Sequence, residues 1–382
     1  MTTTALSGAR AHATGAAADA VAALTESLTA QLGTAPAAAV FFFASTAYAP
    51  DDVVHPLADA FPDAVVVGCS TAGEFTDRVT GTHGISAVAL PEGIVAARYA
   101  ALADLSQDVA GSVRAAVAEL ERQAGRPLRE LDSQRWLGLT LIDGMHGAEE
   151  EVNEQLGNAA PLLDFVGGSA GDDLGFAATW VSVGHEVSWQ GAAFLLVESG
   201  VPFRVVKTCS FTPAGHTLRV TRCEPETRTV WEFDGRPAVE AYAEALGLSP
   251  EQVDSSAFLA HPVGLMVDGA PFIRSPQQVV EGGGIRFYCQ MVEGMDVEVM
   301  TAGDVVADTA SALKDVHDDL GGASAAIYFN CILRRLQLDA AAAGEQFVDA
   351  LGATPAAGFH TYGETWLGHI NQTLTGVVFG PR

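Results

Sequence analysis

Apolar positions fall into short runs separated by polar, glycine-rich turns, and three of these runs end alike. Residues 65–75 read VVVGCSTAGEF: three β-branched residues, a glycine, small polar residues, a second glycine and a carboxylate. Such a run predicts a buried strand that empties into a tight polar loop, the usual place for a site in an α/β protein. Near the C-terminus AAGFHTYGETW repeats the pattern, with Gly358, Thr361, Gly363 and Glu364 at the offsets of Gly68, Thr71, Gly73 and Glu74. A third version, DFVGGSAGDD at 164–173, is one residue shorter and ends in aspartate.

The flanks repeat as well. An apolar strand precedes each loop (AVFFFAS at 39–45, WLGLTLIDG at 136–144, AAIYFNC at 325–331), and another follows it (ISAVAL at 85–90, GAAFLLVE at 191–198, TLTGVVF at 373–379). Helix-like sequence joins first strand to loop: DDVVHPLADAF, GAEEEVNEQLGNA and AAAAGEQFVDALG. Recurrence of this kind predicts repeated supersecondary units. The predicted fold class is α/β: two closely packed domains built from repeated β-α-β-β units, with a β-rich section in the middle. Residues 1–34 read as an N-terminal helical segment, 35–199 as a first domain and 200–382 as a second, with the boundary near Ser199-Gly200. The section 200–320 alternates strand-like pieces with turns at Asp234-Gly235, Asp268-Gly269 and Gly282-Gly283-Gly284. Its helix at 237–247 is entered by a proline and left by a glycine.

A chain of 382 residues can bury two ordinary cores. Its 20 basic and 47 acidic residues give a formal charge of −27. That field repels nucleic acid and anionic lipid, so neither nucleic acid nor a membrane is expected as a partner. Five scattered cysteines without a CxxC argue against a disulfide framework or structural zinc and for a reducing compartment. The N-terminus lacks a signal-peptide pattern, and the longest apolar run is too short to span a bilayer. The expected location is cytoplasmic.

Four stretches, in order, carry a family resemblance: VVVGCSTAGEF; LIDGMHGAEEEV with FVGGSAGDD; EFDGRPAVEAYAEALG; and FNCILRR, GFHTYGE and HINQTL. Together they make the chain, from about 35 to 380, resemble the FIST family, with a FIST N-like part followed by a FIST C-like part. The resemblance implies a sensory protein of signal transduction that binds a small molecule such as an amino acid. Some members resemble haem-binding nitric-oxide sensors, and many stand beside kinases or cyclases or are fused to them. The chain has no room for an added output domain, so a separate signalling protein such as a kinase or cyclase is the expected partner. One departure concerns the FNC segment, where the family tends to carry a glycine before the arginine. Here Ile332 and Leu333 precede Arg334, and Arg335 follows, which leaves open the arginine that faces the site.

The residues themselves suggest a binding site. Gly68, Gly73, Gly168 and Gly363 let backbone approach a ligand closely. The hydroxyls of Ser70, Thr71, Ser169 and Thr361 can bond a ligand or their own backbone. No loop carries a lysine, and Glu74 or Glu364 would repel an anion, which argues against a phosphate cradle. Arg334, with Arg335 as the substitute, could grip a carboxylate with two bonds. Glu74, Glu364, Asp143 and Asp172 suit an ammonium group. Both signs together suit a free amino acid or a similar polar metabolite; Asn371 of HINQTL joins the candidates. Cys69 and Cys331, at strand ends, read as small buried thiols; a cysteine-dependent enzyme using Cys69 is the alternative. No cofactor is expected otherwise, but haem b would take His360 or His261 as its axial ligand. The sequence does not set an oligomeric state.

Overall fold

The strand Ala37–Ser45 (AAAVFFFAS) is buried at every position but the first, so neither of its faces meets water. A continuous rather than alternating apolar run is what a strand covered on both faces requires. In the computed structural model, which describes residues 6–382, this strand pairs in parallel with Val65–Thr71, from Ala39 opposite Val65 to Ser45 opposite Thr71. A parallel pair needs a crossover, here the helix Asp51–Ala60. Gly84–Pro91 lies antiparallel on the other side of Ala37–Ser45. In a second sheet Trp136–Ile142 pairs in parallel with Phe165–Ser169 and antiparallel with Gly191–Ser199, the crossover helix being Glu149–Ala159. In a third, Ala325–Cys331 pairs in parallel with Ala356–Thr361 and antiparallel with Thr373–Phe379; the helices Ile332–Ala340 and Gly344–Ala350 make the crossover. The fold is mixed α/β, with four sheets and nine α-helices among the described residues.

Short strands then pass between these three sheets. Glu74–Thr76 follows Val65–Thr71 in the chain but pairs with Ala356–Thr361 of the third sheet. Glu364–Thr365 leaves the third sheet and pairs with Phe165–Ser169 of the second. Val181–Val183 follows the second sheet's strands and pairs with Val65–Thr71 of the first. The three sheets thus hand strands on in a closed ring. Their inner faces share one core, which includes Phe41, Val67, Leu139, Val166, Ile327 and Val377. At its centre Phe43 stacks on Phe359 at 4.8 Å, and Phe329 meets both rings edge-on. Burying each such ring contributes about 1.5–3 kcal/mol. Outside the first sheet, Val21, Leu24 and Leu28 of the helix Ala17–Leu32 pack with Val53, Val54 and Leu57 of Asp51–Ala60, the one-sided spacing of amphipathic helices.

The chain divides into two compact units. The first takes in residues through Thr208, Thr309–His369 and Leu374–Arg382; the second is Cys209–Asp308 with Ile370–Thr373. The break therefore falls at Thr208/Cys209 rather than at Ser199-Gly200, and most of 309–382 folds with the first unit. Residues 6–34 also differ from an all-helical segment. Ala9–Thr14 is a strand, antiparallel to Gly84–Pro91, ahead of the helix Ala17–Leu32; residues 1–5 lie outside the described part. No helix among the described residues is long and apolar enough to cross a membrane.

The second unit is an antiparallel sheet of eight strands built on the long strand Phe211–Glu224. Val220, Val230, Phe233, Tyr242, Phe258 and Val297 fill its core. Its Asp-Gly pairs turn as expected. Asp234 and Gly235 have φ of 53° and 73°, and Asp268 and Gly269 have 49° and 80°, the left-handed pair that a two-residue hairpin needs. The helix Ala238–Leu246 starts after Pro237 and ends at Gly247, whose φ is 68°.

Two glycines show how tight the first unit is. A Cβ on Gly358 would lie 2.3 Å from the Tyr328 carbonyl oxygen and 2.6 Å from the Phe75 ring, whereas one on Gly157, inside Glu149–Ala159, meets nothing within 4 Å. Gly358→Ala is expected to destabilise by about 1–3 kcal/mol through overpacking. Gly157→Ala is expected to stabilise by about 0.5–1 kcal/mol through helix propensity. Denaturant midpoints of the two variants, measured at unchanged slope, check both signs.

Candidate functional site

Backbone at a buried strand end must find partners for its amides and carbonyls. The three motif loops find them in one another. Ala72 N donates to the His360 carbonyl at 3.1 Å and His360 N to the Gly73 carbonyl at 2.7 Å. Ser169 N donates to Gly363 O at 2.8 Å and Tyr362 N to Ser169 O at 3.0 Å. Gly171 N donates to Ser70 O at 3.1 Å and Asp173 N to Thr71 O at 3.2 Å. Each loop is bonded to the other two. All of them lie in the first unit, which brings together Gly68, Ser70, Thr71, Gly73, Glu74, Gly168, Ser169, His360, Thr361, Gly363 and Glu364. Asn371 belongs to the second unit, where its Oδ1 accepts from Ser275 N at 3.3 Å.

The glycines at these positions serve packing. A Cβ on Gly68 would strike the Phe42 ring at 2.3 Å, and one on Gly168 would meet Thr361 at 2.5 Å. Only Gly73 holds a left-handed φ, 104°. The two glutamates, fully buried, close their own loops. Glu74 accepts from Gly84 N at 2.6 Å and from the Thr71 hydroxyl at 3.4 Å, and His12 Nε2 stands 3.6 Å away. Glu364 accepts from the Thr361 hydroxyl three residues back, as Glu74 does from Thr71. The Ser169 hydroxyl is likewise taken, donating to Glu149 at 3.1 Å.

The two arginines open the helix Ile332–Ala340 and part company there, because successive residues on a helix point about 100° apart. Arg334 is 0% exposed. Its Nε donates to Asn330 Oδ1 at 2.8 Å and its Nη2 to Thr309 Oγ1 at 2.6 Å. Arg335 reaches the first loop instead, donating from Nη1 to the Ala72 carbonyl at 2.7 Å and to Asp173 at 3.0 Å. Asn330 continues the buried chain, its amide donating to His360 Nδ1 at 2.9 Å. An amide nitrogen can only donate, so Nδ1 accepts and the neutral ring carries its proton on Nε2, 3.5 Å from Thr80 Oγ1. Burial, and then the charges of Arg335 and Arg334, hold this imidazole well below its ordinary pKa. An iron at Nε2 would displace the Thr80 contact, so His360 does not fit an axial-ligand role. His261, in the second unit, has Nδ1 3.1 Å from the Met300 carbonyl, which makes Nε2 the nitrogen it could offer a metal.

Cys69 is fully buried, and burial alone pushes its thiol well up. A thiol held protonated is a poor nucleophile, and Cys69 acts as core packing. Cys331 is buried in the same way.

The aspartates build the open part of the site. Asp172 accepts from three successive amides, Phe176 at 2.9 Å, Ala177 at 2.6 Å and Ala178 at 3.2 Å, and from the Tyr362 hydroxyl of the third loop. Burial pushes its carboxyl up, but the bond from Tyr362 and then the amide bonds outweigh this, and the net direction is down. The segment it gathers carries left-handed φ at Asp173, Leu174 and Phe176, a strain that its hydrogen bonds maintain. The next residue, Thr179, donates to Asp143 Oδ1, which also accepts from Met145 N at 3.0 Å. Asp143 ends the strand region Trp136–Ile142 and is 2% exposed. Burial pushes its carboxyl up, partly offset by the bond from Thr179. Beside it opens a cleft of about 510 Å³, lined among others by Asp104, Asp143, His146, Thr179, Ser188 and Trp189. Pockets of this size hold small molecules. Of the sequence-derived candidates, Asp143 lines the cleft and Asp172 shapes one wall. Asp104, His146 and Trp189 escaped the sequence reading because they lie outside the repeated loops; the one signal was that His146 follows Asp143 closely in IDGMHG.

Comparisons with known proteins bear on this arrangement. The chain is 24% identical over 269 residues to an uncharacterized protein of Methanocaldococcus jannaschii, covering 67% of this chain and 51% of that protein. The chain thus spans about half the length of the curated relative it matches. Among solved structures it is similar to a chorismatase (TM-score 0.36, 11% identity, 99% of this chain and 100% of that chain). It is also similar to T. maritima PurL complexed with ATP (TM-score 0.23, 12% identity, 98% of this chain and 71% of that chain). Likenesses this distant carry no argument about fold or chemistry. The FIST N domain matches residues 38–236 and the FIST C domain residues 238–366, and on that match, which takes in nearly the whole chain, the protein belongs to the FIST family.

Proposed function

We propose that this protein is a ligand-binding sensory component of signal transduction. Its ligand is a small polar metabolite of amino-acid-like size, held in the cleft beside Asp143, and its output goes to a separate signalling protein such as a kinase or cyclase. FIST domains are associated with sensory proteins of signal transduction, and the reading builds on that association. The observation that carries it is the join between cleft and loops. The wall residues Ala177, Ala178 and Thr179 hang from Asp172 and Asp143, and Asp172 is bonded to Tyr362 of the third loop. A ligand that shifts this wall therefore pulls on all three loops at once.

We also read the three β-α-β-β segments as copies of one unit. Support comes from the parallel pair with its antiparallel neighbour, found in each, and from the matching Thr71–Glu74 and Thr361–Glu364 bonds. The cytoplasm remains our location for the protein, since free thiols at all five cysteines suit a reducing compartment.

A thermal-shift screen against amino acids and related metabolites tests the binding reading. A compound at 100 times its Kd should raise stability by about 2.7 kcal/mol. The same compound should slow amide exchange at residues 177–179. If no compound shifts the melting temperature, or protection falls elsewhere, the cleft reading is wrong.

Arg334 separates a second pair of outcomes. Its hydrogen bonds to Asn330 and Thr309 are internal, and bonds to a charged group contribute about 1.5–3 kcal/mol each. Arg334→Ala should therefore lower the melting temperature by several degrees and leave the affinity for any screened ligand unchanged. Weakened binding at an unchanged melting temperature would put Arg334 on the ligand instead.

A further inference from the structure

Taking the cleft as the ligand site, we infer that its ligand is a small organic amine, with the ammonium group on Asp143 and an apolar body against Trp189, and that no ligand carboxylate is needed. Asp143 is the first ground. The residue is 2% exposed, and both bonds it receives, from Thr179 and Met145, go to Oδ1. Oδ2 receives no hydrogen bond from the protein, although the side chain lines the cleft. Oδ2 therefore opens on the cleft, and a charged donor arriving with the ligand makes a charge-assisted hydrogen bond there in place of water.

The charge of the lining is the second ground. Asp104 adds another carboxylate, its pKa lowered by the bonds it accepts from Ser106. Among the described lining residues there is no lysine or arginine, and the one histidine is His146. Glu149 adds a further negative influence on Asp143. The carboxylate of an amino acid would face these acids with no guanidinium or ammonium to receive it, whereas an amine is attracted to both carboxylates. The formal charge of −27 draws cations toward the surface as a whole.

The third ground is the rim. Trp189 is 51% exposed and Met145 40%, and both line the cleft. An aromatic face there suits an alkyl or aromatic body and attracts a nearby cation. A bare metal ion is a poorer occupant, since no group of three or more potential ligands among the described residues comes together to hold one. Oδ2, open on the cleft, also selects among organic cations: a primary or secondary ammonium can donate to it and a quaternary one cannot.

The test uses the full chain and calorimetric titration with matched probes: 2-phenylethylamine, its trimethylammonium analogue, and phenylalanine; cadaverine and lysine form a second, aliphatic pair. In at least one pair the amine should bind tenfold or more tightly than its amino acid, and the trimethylated probe should bind more weakly than the primary amine. Asp143→Asn keeps an acceptor for Thr179 and Met145 but loses the charge. It should weaken amine binding roughly tenfold to a hundredfold, the range of a charge-assisted hydrogen bond, while the empty protein melts no lower than the parent. Should that variant fail to fold, Asp104→Asn, an exposed position, must still weaken binding at an unchanged melting temperature. Amino acids binding as tightly as the amines would overturn the ligand class and leave the cleft reading standing. Amine affinity indifferent to both aspartates would overturn the inference. If neither amines nor any screened metabolite bind at millimolar concentration, the inference and the cleft reading fall together.

Discussion

Within the first unit lies backbone with no water to turn to. The amides and carbonyls of Ser70–Gly73, Ser169–Asp173 and His360–Gly363 must bond something, and they bond each other. That requirement explains the short strands handed from sheet to sheet, since Glu74–Thr76, Val181–Val183 and Glu364–Thr365 each extend a loop into the neighbouring sheet. It explains the glycines too, which let sheet, ring and loop approach within distances a Cβ would block. The same three sheets enclose the aromatic core around Phe43, Phe329 and Phe359.

The same requirement sorts the buried acids. Glu74 and Glu364 are committed to their own loops, Asp172 to three amides and a tyrosine, and Asp77 to Arg10 at 2.7 Å. Asp143 alone of the motif aspartates combines near-complete burial with an oxygen that receives no bond and a cleft alongside it.

Much of the frame was legible in the chain. The runs at 39–45, 136–142 and 325–331 are apolar at almost every position, as doubly covered strands must be, and the Asp-Gly pairs mark their hairpins. The strand Ala9–Thr14 was not legible, because its buried face is all alanine (ARAHAT), a residue with little preference for strands. The exchanged strands are two or three residues long, below any readable period. At the site, the sequence could place acids at strand ends but could not say which would be met by an amide. That depends on Gly84 N lying beside Glu74, on the far side of a turn. Arg334 and Arg335 are adjacent in sequence yet take unrelated partners, since the helix they open rotates one inward and the other toward the first loop. The cleft has walls from Asp104 and Trp189, which no motif flags.

The ring of exchanged strands also sets an order of assembly. The first sheet takes its borrowed strand, Val181–Val183, from well upstream of the C-terminus, so it can be complete while the chain is still being made. The third sheet cannot. Glu74–Thr76 waits for Ala356–Thr361, and the buried Ser86 hydroxyl waits for a carbonyl 272 positions further along. Until Ala356–Thr361 leaves the ribosome, the first loop has its bonds to the second loop but none to the third. Contacts this distant in sequence form slowly, and the unpaired strand edge is exposed in the meantime. A nascent chain of this protein is therefore most vulnerable to aggregation, and most dependent on a chaperone, late in its synthesis, after the first sheet has formed.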